Sequence, residues 1–150
     1  QNTINMKREI RFRGNRIDNG SWVYGYLIVL TKTEVGSYIC FYEKPYAEFV
    51  EVKVDPDTIS QFTGLYDCDG KEIYEGDVVV STDDSFAKAN DTLAIKFGED
   101  GFVVYNPSCC KACKEGTGYI CYLGEVCNVL RVIGNVWDDD KLGSLDNQQN

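Results

Sequence analysis

Cys110, Cys113, Cys121 and Cys127 are the residues of this 150-residue chain whose type and spacing could do chemistry. Cys110-x-x-Cys113 has the spacing of a zinc knuckle, and Cys121 and Cys127 follow on the next expected strands. Four thiolates so arranged could hold zinc tetrahedrally. The second pair is wider than a second knuckle, however. Its members sit among Ile120, Tyr122, Val126 and Val129, where cysteine is a common small core residue. The favoured reading is therefore core packing plus exposed loop thiols, with no cofactor; a zinc-stabilised structural module is the alternative. A disulfide within the loop is a third reading, although a vicinal Cys109–Cys110 bridge would be strained. Cys40 and Cys68 are isolated in sequence and read as packing residues.

Other chemistry finds little support. The chain has no histidine, so the usual proton shuttle and the usual triad base are missing. Its 24 acidic residues make carboxylate pairs common by chance alone, and none stands out. "DCDGKEIYE" has the look of a calcium loop. With Gly70 at position six, though, Leu65 falls at position one and Gly76 at position twelve, and neither can ligate. The chain reads as a non-enzyme.

Composition narrows the partners. The formal net charge of −9 disfavours generic nucleic-acid binding, which needs cationic surface. The first sixteen residues run the other way: Lys7, Arg8, Arg11, Arg13 and Arg16 stand against Glu9 alone. Either this basic strand lies against the acidic body, or Arg8, Arg11, Arg13 and Arg16 form a nucleic-acid arm exposed on one face. The inverse, an acidic protein mimicking DNA, needs carboxylates spaced as phosphates are. Seven cysteines without a leading signal segment fit reduced thiols in a cytoplasmic protein. The apolar run "WVYGYLIVL", nine residues, is too short to span a membrane as a helix.

The elements that must position these residues read as strands. Seventeen Tyr and Phe residues, with two Trp, suit strands better than a helical bundle. "REIRFRGNRIDNGSWVYGYLIVL" is a hairpin: Glu9 to Arg13 alternates charged and apolar residues, and Asn19-Gly20 tolerates the positive φ of a tight turn. Trp22, Tyr24 and Tyr26 then share a face, as core or interface. "YICFYE" and "FVEVKV" are further strands. Asp55-Pro56 reads as a helix start, predicting one short helix from Pro56 to Phe62 that ends at Gly64. Asp69-Gly70 and Glu75-Gly76-Asp77 are turns leading into a valine strand. "TLAIKF" and "FVVYN" form a hairpin, and "VIGNVW" lies on the last strand. The fold class is mainly β and antiparallel, with a small SH3-like barrel from Glu75 to Trp137 that the Gly76-Asp77 step opens and "VIGNVW" closes.

"REIRFRGNRIDNGSWVYGYL", "VDPDTISQFTGLYDCDGKEIYEGDVV" and "RVIGNVWDD", in that order and spacing, resemble the three signatures of the YopX family. The resemblance runs from Met6 to Asp139. It implies a mainly β protein encoded by phages, prophages and mobile elements, working in the bacterial cytoplasm, and it supplies no catalytic residue. The expected domains are a leader or remnant over 1–5 ahead of a natural start at Met6, and a YopX-like domain over 6–139. The latter divides into an N-terminal β subdomain with the short helix (6–66) and a barrel-like subdomain (67–139). A flexible acidic tail follows over 140–150. Residues 62–79 read chiefly as a structural joint, with Tyr74, Glu75 and Asp77 the exposed members of any binding surface there. The expected work is protein binding and self-association through aromatic and acidic surface, with a homo-oligomer and an unnamed protein partner.

Overall fold

In the computed structural model, the structure describes residues 8–44, 48–107 and 120–138. The chain divides into two compact units, 1–64 and 65–150. Among the described residues it is mainly β, in two antiparallel sheets.

The first unit holds β1 (Phe12–Arg16), β2 (Trp22–Leu30), β3 (Gly36–Tyr42) and most of β4 (Phe49–Tyr66). β1 and β2 form the expected hairpin. Gly20 takes a φ of +71°, and Asn19 Oδ1 accepts the Ser21 N–H at 2.9 Å, which fixes the turn. β2 pairs with β3 and β3 with β4. β4 then pairs with β1, placing Phe12 beside Gln61 and Arg16 beside Val54. The pairings of the four strands therefore return to their start. Ile39, Val52, Val54 and Phe62 are buried in this unit.

The predicted helix over Pro56 to Phe62 is not formed; those residues belong to β4. The helix-start signals are spent on a bulge instead. Asp55 Oδ1 accepts the Asp57 N–H at 3.0 Å, and the Thr58 hydroxyl donates to the Asp55 carbonyl at 2.7 Å. Thr58 Oγ1 accepts the Asn15 N–H across the strands at 2.8 Å. On β1 the register passes from Arg13 to Asn15 while on β4 it passes from Ser60 to Asp55, so β4 carries the extra residues. Short side chains that bond nearby backbone serve a bulge as well as a helix cap, and proline is tolerated where no ladder bond is required.

The second unit carries β5 (Glu72–Tyr74), β6 (Asp77–Ser81), β7 (Thr92–Phe97), β8 (Phe102–Tyr105), β9 (Cys121–Tyr122) and β10 (Leu130–Asn135). β5 is next to β4 in strand order; the others form a five-stranded sheet ordered β10-β6-β7-β8-β9. A short helix, α1 (Leu123–Val126), and a 3-10 turn (Cys127–Val129) occupy a stretch that reads as strand in the sequence. The core is Ile73, Val79, Leu93, Ile95, Val104, Leu123, Leu130 and their neighbours. Strands rich in Val and Ile bury both faces here, so apolar runs replace alternation. The tail expected over 140–150 lies outside the described residues.

Candidate functional site

The segment from Asp67 to Asp77 is built inward. Asp67 is buried, and its carboxylate accepts three backbone N–H groups: Asp69 and Lys71 on Oδ1 and Val132 on Oδ2, each at 2.9 Å. Cys68 N–H donates to the Leu130 carbonyl at 2.9 Å. The turn thus covers backbone groups of β10, an outer strand of its sheet. Burial pushes the Asp67 carboxyl up, but the three N–H donors, with Lys71 nearby, more than offset this and hold it below the ordinary aspartate range.

The next corner is equally structural. Tyr74 and Asp77, expected as exposed members of a binding surface, are both buried, and Glu75 is half-buried. Asp77 Oδ2 accepts the Tyr74 N–H at 2.8 Å, and the Tyr74 hydroxyl donates to Glu72 at 3.1 Å. Gly76 has a φ of +81°, and a Cβ there would lie 2.4 Å from the Trp137 ring. Its N–H bonds the Ile95 carbonyl and its own carbonyl accepts the Val136 N–H. A turn motif announces that a corner exists; it does not say which side chains face in.

The four arginines are not displayed together. Arg13 is 5 % exposed, its Nε donates to Ser60 Oγ at 2.8 Å, and its guanidinium lies 5.0 Å from the Trp22 ring centroid. Arg11 is half-buried, stacked over Phe62 at 4.6 Å, with Glu9 at 2.7 Å. Arg16 makes a two-pronged, exposed pair with Asp18, and Arg8 is exposed. The arm requires all four guanidinium groups on one exposed face, and Arg13 does not meet that requirement. The open groove lined by Arg16, Ile17, Asp18, Glu51, Val52 and Lys53 has balanced charges, including that pair.

Of the zinc candidates, Cys110 and Cys113 lie outside the described residues. Cys121 and Cys127 are half-buried against the second core. Burial, and then Glu125, pushes the Cys121 thiol up. Cys40 is fully buried, and burial, then Glu51, raises its thiol too. Cys68, read as a packing residue, is exposed: the turn spends its backbone on Leu130 and leaves the side chain outside.

What remains is an aromatic face on β2, β3 and β4. The register sets Tyr26 beside Cys40 and Cys40 beside Glu51, and Tyr42 beside Phe49. This face lies opposite the buried Ile39 and Val52. Tyr24, Tyr26, Tyr42 and Phe49 are 47, 59, 64 and 45 % exposed, and the Tyr42 and Phe49 rings meet edge to face at 5.3 Å. Trp22, half-buried over Arg13, lies at the end of the row. Tyr42 and Phe49 were not singled out from sequence; only strand register brings them beside Tyr24 and Tyr26.

A family model described as YopX protein matches residues 11–142. No curated protein matches the chain in a sequence comparison. Among solved structures, that of protein EF1440 from Enterococcus faecalis is similar, at 18 % identity and a TM-score of 0.49. The match covers 91 % of this chain and 99 % of that one. No helix among the described residues is long and apolar enough to cross a membrane.

Proposed function

The chain belongs to the YopX family, and on that premise we propose that it is a non-catalytic, protein-binding β module. We place it as an accessory protein of a phage or mobile element, acting in the bacterial cytoplasm. The observation that carries the binding reading is the four exposed aromatics on one sheet face. Aromatic side chains supply large contact area at small entropic cost and dominate interface hot spots. The mechanism is shape and charge complementarity, with no bond made or broken. In the second unit we propose a small SH3-like barrel. Its support is the strand order β10-β6-β7-β8-β9, in which β6, the first of these strands along the chain, pairs with β10, the last, and a 3-10 turn precedes β10.

The test is capture of a bacterial partner, identified by mass spectrometry, with wild-type protein and with a Tyr42→Ser/Phe49→Ser double variant. Both residues are exposed, so the fold is expected to survive. Losing two interface aromatics is expected to weaken binding about 30-fold or more, the cost of one hot spot. Partner binding that is unchanged in the folded double variant would remove the aromatic face from the function.

A further inference from the structure

The binding-module reading leaves the partner open, and one edge of β2 supplies it. Resting on that reading, we infer that residues 26–30 pair edge to edge with the same segment of a second copy of this chain. β1 pairs with β2 only from Trp22 to Gly25. On its other edge β1 pairs with β4, from Arg16 beside Val54 to Phe12 beside Gln61, and the Arg11 carbonyl accepts the Phe62 N–H at 2.9 Å. Residues 26–30 keep β3 on one side. Their other edge has no strand partner among the described residues.

An open edge presents N–H and C=O groups that a further strand can satisfy. Natural edges are commonly guarded by charge, proline or a bulge. "YLIVL" has no charged residue and no proline, and its pairing with β3 runs without a register shift. Charge then selects the occupant. Two copies of a chain with a net charge of −9 repel over most of their surface. Residues 22–31 contain no charged side chain, so they form a strip where copies can meet without like-charge contact.

The segment is also complementary to itself. Antiparallel pairing about Ile28 sets Tyr26 opposite Leu30 and Leu27 opposite Val29, all strand-favouring partners. Two residues further out, Lys32 comes opposite Tyr24, and no like charges face each other. A two-fold interface uses one patch twice, as this one does. Five residues a side make a small interface, so the dimer is weak, with a dissociation constant on the order of micromolar or higher.

The experiment is sedimentation equilibrium of the full chain from about 1 to about 500 µM, a range that brackets such an affinity. Wild type is compared with Val29→Lys and Val29→Thr. Val29 is 58 % exposed, so neither change disturbs a core contact. Wild type and Val29→Thr are expected to move from monomer towards dimer with concentration. Val29→Lys is expected to associate at least about tenfold more weakly, because it adds a charge to the uncharged strip and the pairing sets the two added cations diagonally on one face, about 7–8 Å apart. Should Val29→Lys fail to fold, amide exchange of wild type decides: protection of residues 26–30 must rise with concentration. A wild type that stays monomeric overturns the inference, as does a dimer that folded Val29→Lys leaves unchanged. If that monomer still binds a partner through Tyr42 and Phe49, the pairing is lost and the module reading stands.

Discussion

Replacing Asp67 by alanine is expected to cost about 4 kcal/mol, the largest effect of any single polar substitution here. Three backbone N–H groups lose a charged acceptor, and hydrogen bonds to charged groups contribute roughly 1.5–3 kcal/mol each before relaxation. The Val132 N–H suffers most, because its bond to the carboxylate is buried whereas those of Asp69 and Lys71 are only partly so. Asp67→Asn is expected to cost about 2 kcal/mol. Its single carbonyl can serve either the two turn donors or Val132, and its amide then faces a donor. Urea unfolding measures the cost, and amide exchange at Val132 localises it. The pH dependence has a fixed sign. The folded carboxyl lies below its unfolded value, so its contribution is fully present above the ordinary aspartate pKa of about 3.9 and disappears as pH falls through the lower folded value. Wild type should lose stability across that acid window more steeply than Asp67→Asn. Equal acid slopes would show that another carboxylate governs the unfolding.

Gly25→Ala is expected to destabilise the first unit by about 3 kcal/mol or more, as overpacking against rigid backbone does. A Cβ at this position would sit 2.1 Å from the Cys40 carbonyl oxygen and 3.0 Å from its carbon. No rotamer relieves such a contact; β2 and β3 must part. Gly64→Ala is the control. Gly64 has a φ of +80° with open space around it, so alanine there costs only the left-handed penalty, about 1–2 kcal/mol. Exchange protection across the β2–β3 pairing should fall in Gly25→Ala and hold in Gly64→Ala. Equal costs in the two variants would mean that the Gly25 contact relaxes freely.

Turn chemistry made much of the architecture legible. Asn19-Gly20 and Asp69-Gly70 mark turns that the structure contains, and the valine run after Gly76 pairs with the last strand. Signals with two uses failed. Asp55, Pro56 and Thr58 can cap a helix or shape a bulge, and the neighbouring strand decided between them. The helix Leu123–Val126 is too short for periodicity to reveal. At the candidate surfaces the residue types were readable but their facing was not. Tyr24 and Tyr26 are exposed, whereas Tyr74 and Asp77 are buried, and Arg13 is sequestered by Ser60 and Trp22. Tyr42 and Phe49 join the surface through cross-strand register, which no local window contains.

The return of β4 to β1 also sets the tempo of folding. Arg13 and Ser60 meet across 47 positions of chain, so the circuit closes only after a long segment has been ordered. The local hairpin of β1 and β2 can form in microseconds, but such distant pairings slow folding to milliseconds or seconds. The Asn15 N–H, which donates to Thr58 of β4, reports on that closure, so its exchange protection after rapid dilution from urea should appear on the slower scale. Protection of Asn15 complete within microseconds would contradict this order. Until the circuit closes, β1 has only one neighbour to hold it, and the growing sheet is most exposed to joining another chain.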